Sequence, residues 1–229
     1  MPDISKINNV AVADISKLDS ITFAHGQKVN NQDVSLVTDA HVLIASDLAS
    51  KGDGSHASLG FTSGINSTYD VYEFHFTNMH PQTNNVNFLF QVNDSNDEGG
   101  GYDVSPITST VITAYQKEDV VAAHPGSFLI EGDRSQTNQA DYQELNLYVA
   151  AAVGDESLSG ALKLYAPSST TYLKHFMSDT NTLTNGDYSR HALVAGYIND
   201  PDAITQINFK FSSGEIQGGE IKMYGIAKA

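Results

Sequence analysis

The sequence predicts an all-β protein: an antiparallel β-sandwich, jelly-roll-like, preceded by an extended N-terminal arm. Three observations carry that expectation. Apolar and polar residues alternate over many short segments from Tyr69 onward, the period-two mark of strands with one buried face. Turn-forming clusters (PQTNN, NDSNDEGGG, APSST, TNGD, NDPD, SSGE) separate these segments. Strands do not alternate regularly with helical stretches, which favours an antiparallel two-sheet architecture over a parallel one.

The chain begins with an imperfect repeat, ISKINNVAVAD followed by ISKLDSITFAHG, in which Ile4, Ile7 and Val10 return as Ile15, Leu18 and Ile21. The three-residue spacing would suit a helix. Asn8-Asn9, the β-branched residues and the lack of a second apolar row argue instead for extended chain. So thin a segment cannot bury its own apolar row. Residues 1–45 are therefore expected to be an assembly arm, packed on a partner or intertwined with its own copies. Residues 46–66 are rich in Ser and Gly and read as a linker. The sandwich domain is expected over residues 67–229.

Within that domain, TYDVYEFHFTN places Tyr72, Phe74 and Phe76 on one face, and NVNFLFQVN does the same for Val86, Phe88, Phe90 and Val92. QELNLYVAAAV aligns Leu145, Leu147 and Val149; SLSGALKLYAP aligns Leu158, Leu162 and Leu164; TYLKHFMS sets Tyr172 with Phe176. HALVAGYIND follows, and AITQINFKFSSG aligns Ile207, Phe209 and Phe211. The closing SSGEIQGGEIKMYGIAKA puts Ile221, Met223 and Gly225 on one side and Glu220, Lys222 and Tyr224 on the other, so the last strand is expected inside the sandwich. One short helix is expected around KEDVVAAH.

The composition narrows the function. With 229 residues, 40% of them hydrophobic, the chain can bury a sizeable core, and 12 Lys+Arg against 27 Asp+Glu leave a net charge of −15. Such a surface repels phosphate backbones and anionic lipid, which argues against nucleic-acid binding and membrane insertion. The first residues lack the basic and apolar regions of a signal peptide, so assembly in a host cytoplasm is expected. With no cysteine, packing, hydrogen bonds and oligomerisation must hold the fold.

Candidate chemistry is sparse. The loop NDSNDEGGGYD offers Asp94, Asn96, Asp97, Glu98 and Asp103, hard oxygen ligands of the kind calcium takes. A calcium-loop register starting at Asp94 fails, because Ser105 stands where a bidentate Glu belongs; a hairpin tip with glycines for tight turns is the simpler reading. The eight histidines form no HxH or HExxH pair, and His75 and His175 read as outward-facing or hydrogen-bonded strand residues. Hydrolase and nucleotide-loop signatures do not occur. Asp141 with Glu144, or Asp155 with Glu156, could be nominated as carboxylate pairs, but so acidic a chain makes proximity cheap. No cofactor is expected, and no catalytic residue is nominated. The 11 tyrosines suit both strands and contact surfaces, including a host-surface glycan.

The stretches FTSGINSTYDVYEFHFTNMHPQTNNVNFLFQVN, SLSGALKLYAPSSTTYLKHF and FSSGEIQGGEIKMYGI resemble a recurring group of marine tailed-phage (cyanophage- and pelagiphage-like) virion proteins. The resemblance lies in Ser67 to Asp70, Leu158 to Thr170 and Phe211 to Ile226, and the N-terminal ISKINNVAVADISK is similar to leaders that precede such β domains. It implies a non-enzymatic virion protein of the tail fibre or tail-tip type, a homotrimer bound to other virion proteins. Two alternatives stand beside it: a capsid decoration protein whose arm clamps the shell, and a carbohydrate-binding module.

Overall fold

The structure is a computed structural model. It describes residues 41–50, 56–94, 102, 105–118 and 135–226, together with the backbone of residues 127–130 and of four two-residue strands before residue 40. The chain divides into two compact units, residues 1–40 and 41–229. In the first unit, β1 (Lys6–Ile7) pairs antiparallel with β2 (Val10–Ala11), and β3 (Lys28–Val29) with β4 (Gln32–Asp33). The side chains of the apolar row Ile4, Ile7, Val10, Ile15, Leu18 and Ile21 lie outside the described residues.

The second unit is an antiparallel β-sandwich. Its strands are β5 (His41–Ala49), β6 (Leu59–Phe61), β7 (Val71–Pro81), β8 (Val86–Asp94), β9 (Ile107–Lys117), β10 (Ser127–Ile130), β11 (Gln143–Val149), β12 (Leu158–Tyr165), β13 (Lys174–Leu183), β14 (Tyr188–Ile198), β15 (Ile204–Phe211) and β16 (Ile216–Ile226). Eight of them form one sheet in the order β10-β9-β14-β13-β12-β7-β16-β5, and four form the other, β11-β8-β15-β6. The connections β7 to β8, β11 to β12 and β15 to β16 each pass from one sheet to the other, and the strands they join pair side by side in both sheets. This double-ribbon winding is the jelly-roll-like pattern that the sequence predicts.

The two inner faces meet in an aromatic core. Tyr72, Phe74 and Phe76 of β7 face Phe88 and Phe90 of β8 and Phe209 of β15, all at most 3% exposed. Phe209 lies 5.6 Å from Phe74 and 5.0 Å from Phe76, ring centre to ring centre, within the range where tilted and edge-on pairs attract. Ile221 and Met223 of β16 are fully buried, and β16 lies between β7 and β5. The closing strand is thus internal, as its alternation indicates.

Two adjacent strands of the large sheet carry bulges at nearly the same level: β7 at Thr77 and Asn78 (Asn78 φ 51°), opposite Ser159 and Gly160 of β12, and β16 between Ile216 and Glu220, which holds Gly219 (φ 118°). Each bulge adds a residue to one strand, bends it and switches which side chains face the core. Thr77 and Asn78 are therefore both exposed before Met79 returns to the interior. At Gly160 a side chain has no room: a Cβ would stand 2.3 Å from the Asp179 carbonyl oxygen.

Two expectations differ from the structure. Residues 41–45, assigned to the arm, and 46–66, assigned to a linker, contain strands β5 and β6, which form an edge of each sheet. In this stretch Ala49, Leu59, Phe61 and Ile65 join the core, while the Asp47 carboxylate accepts a 2.8 Å hydrogen bond from the Gly60 N–H. Around β6 those few apolar residues are diluted in sequence by Ser and Gly, and in β5 a bulge breaks the alternation, so neither strand is evident from sequence. Tyr172 does not align with Phe176: it precedes β13, in a turn, and is 75% exposed. Most of the segment expected as a helix, KEDVVAAH, lies outside the described residues.

Candidate functional site

Strand alternation gives the eight-stranded sheet an outer face whose composition follows from register. Across it run Leu43, Tyr224, Glu73, Lys163, Met177, Ala195 and Thr110, each directly opposite the next on the neighbouring strand. The β5 side of this row is ionic and the β14 side is apolar and aromatic.

The ionic side centres on Glu73. Its carboxylate is only 8% exposed although it points away from the core. Lys163, opposite on β12, places Nζ 2.6 Å from Oε1. His41 on β5 and His75 two residues along β7 place their Nε2 atoms 3.0 and 3.1 Å from Oε2, and since a carboxylate only accepts, both imidazoles donate. The Tyr224 ring lies 4.9 Å from the His75 ring and 6.2 Å from that of His41, completing the cover. Burial alone would raise the Glu73 pKa; hydrogen bonds from Lys163, His75 and His41 outweigh it and lower the value to about 2. The same contact raises the pKa of Lys163. A carboxylate occupied on both oxygens is ionised at neutral pH and unsuited to donating a proton. Its geometry makes it a tie that fastens edge strand β5 to β7 and β12.

The aromatic side is a cleft of about 490 Å³. His175 opposes Tyr197, which opposes Thr108; on the next row Met177 opposes Ala195, which opposes Thr110. Tyr165 closes one wall, its hydroxyl 3.9 Å from Met177 Sδ, and the His175 and Tyr197 rings meet edge to face at 6.1 Å. Long side chains around short Ala and Thr create the depression. A second hollow of about 310 Å³ adjoins it, sharing Tyr165 and Met177 and reaching Lys163, Asp179 and Leu193. Met177 and Leu193 are 55% and 42% exposed.

The residues nominated from sequence stand elsewhere. Asp94 ends β8, is 8% exposed, and its carbonyl oxygen accepts from the Thr205 hydroxyl at 3.3 Å. Asn96, Asp97, Glu98 and Asp103 lie outside the described residues, so the calcium-loop reading does too. Among the described residues no group of three or more His, Asp or Glu is arranged to hold a metal ion. Glu144 accepts a 2.6 Å hydrogen bond from Asn87, and Glu156 accepts one of 2.8 Å from the Val153 N–H, so one member of each nominated carboxylate pair anchors local backbone or a neighbouring strand. The sequence reading overlooked Glu73, because two of its three polar partners, Lys163 and His41, come from other strands. Tyr165 and Tyr197 are two of the 11 tyrosines that suit strands or contact surfaces, and His175 reads as a strand residue, but only strand register brings the three together. No protein-family model, no curated protein and no solved structure matches this chain.

Proposed function

We propose that this chain is a non-enzymatic virion structural protein, a tail fibre or tail-tip component whose N-terminal segment anchors it to other virion proteins and whose sandwich projects. The observation that carries this reading is the division of the chain into residues 1–40 and 41–229, with the apolar repeat wholly in the first unit and a sandwich with its own extensive core in the second. A repeat with an apolar row is suited to packing on a partner, and a sandwich with its own core is suited to standing away from it. The resemblance of the sandwich segments to phage virion proteins points the same way. In this reading the protein assembles in the host cytoplasm as a homotrimer, threefold closure being an ordinary way to build a fibre.

The test is incorporation. Virions assembled with the chain lacking residues 1–40 are expected to contain none of it, whereas the full chain is present; normal incorporation of the shortened chain would refute the anchoring role. Copy number decides placement. A few to a few tens of copies fit the tail, and hundreds fit the alternative of a decoration protein clamped to the capsid shell.

A further inference from the structure

The cleft on the outer face of the large sheet has the chemistry of a ligand site. Its floor is Ala195, Thr108 and Thr110, and its walls are Tyr165, His175, Met177 and Tyr197. Among the described residues this lining holds no carboxylate, ammonium or guanidinium, and a surface of net charge −15 disfavours anions. Nothing in the walls selects an ion. The ligand that fits is neutral, with an apolar face for the rings and polar edges for the hydroxyls and imidazole.

A sugar ring has that character: a face of C–H groups, attracted to the electron-rich face of an aromatic ring, rimmed by hydroxyls. About 490 Å³, with about 310 Å³ adjoining, is in the range of small-molecule sites. The two hollows share Tyr165 and Met177, so one chain of linked rings can occupy both, and in the second Lys163 and Asp179 offer charged hydrogen-bonding groups to its hydroxyls. A second copy of this chain is the competing occupant. A fully apolar face would suit it better than a depression with hydroxyls in its floor and a lysine and an aspartate beside it.

We propose that this cleft binds a neutral oligosaccharide, with sugar rings stacked on Tyr165 and Tyr197. The proposal rests on reading the sandwich as the projecting, surface-recognising end of a virion protein.

The test is calorimetric titration of the full chain with cellohexaose, laminarihexaose, maltohexaose and mannohexaose. Saturable binding of at least one is expected, weakened about tenfold or more in Tyr165→Ala and in Tyr197→Ala and unchanged in Leu48→Ala at the far edge of the same face. All three variants are expected to keep their melting temperature within about 2 °C, so that loss of binding is not loss of fold. The proposal is overturned if none of the four sugars binds, or if the tyrosine variants bind as the parent does. It is also overturned if light scattering shows self-association that both tyrosine variants abolish, which would make the face a protein interface. Virions separate the two readings: a parent chain that is incorporated normally yet binds none of the four sugars sinks only the saccharide site, and absence of even the parent chain from virions sinks the structural role.

Discussion

Replacing Phe209 by alanine tests the packing that joins the two sheets. Phe209 comes from the smaller sheet, is fully buried, and lies within 6.4 Å of the rings of Phe74, Phe76, Phe88 and Phe90. Losing the buried ring forfeits about 2–3 kcal/mol of transfer free energy. The cavity left among four rings that cannot collapse fully raises the cost to about 3–5 kcal/mol. For a domain of this size 1 kcal/mol moves the melting temperature by about 2–4 °C, so a fall on the order of 10 °C is expected in thermal unfolding followed by circular dichroism. Met177→Ala, on the outer face, should move it by no more than about 2 °C. A Phe209→Ala protein that melts within about 3 °C of the parent would refute the assignment of this ring to the inter-sheet core.

Other outcomes follow from the same geometry. Ile221→Asp places a charge on the buried face of β16, at a cost of several kcal/mol, comparable to the whole margin of a small domain; a soluble protein with an unchanged melting temperature would show that the face is reversed. Because the Glu73 pKa is held at about 2 against its ordinary 4.5, its stabilisation is fully present above pH 4.5 and is lost as pH falls towards 2. The parent should therefore lose more melting temperature than Glu73→Gln over that window, and parallel acid limbs would count against the tie. Removing residues 1–40 should leave the sandwich's melting temperature within about 2 °C, whereas removing 1–49 also strips β5 from the edge of the large sheet and should lower it markedly; equal melting of both truncations would mean that β5 contributes nothing. Gly160→Ala should destabilise by more than 1 kcal/mol, because its Cβ meets the Asp179 carbonyl oxygen and its φ of 154° is strained for any side chain; urea midpoints check it.

Long strands with bulky alternating residues were legible in the sequence. Tyr72, Phe74 and Phe76, Phe88 and Phe90, and Ile207, Phe209 and Phe211 are buried as their spacing indicates, because a single register choice fixes every second side chain. Strands β5 and β6 were hidden for the opposite reason. In HVLIASDLA the burial does not alternate cleanly, since a bulge opposite Met223 and Tyr224 shifts the phase, and β6 has only three residues. Tyr172 failed because the strand begins two residues later, at Lys174, whose buried ammonium donates a 2.7 Å hydrogen bond to the Asp200 carbonyl; nothing local in TYLKHFMS announces a lysine turned inward. The Glu73 tie and the tyrosine cleft depend on which strands become neighbours. That order, β5-β16-β7-β12-β13-β14 in part, joins residues up to 185 positions apart in sequence, as in Ile226 opposite His41, and no short-range pattern encodes it.

The most direct test of the proposed virion role is quantitative mass spectrometry of phage particles purified from an infection in which the chain is produced. A virion structural protein of the tail is expected at a fixed stoichiometry of a few to a few tens of copies per particle; its absence from purified virions would contradict the account.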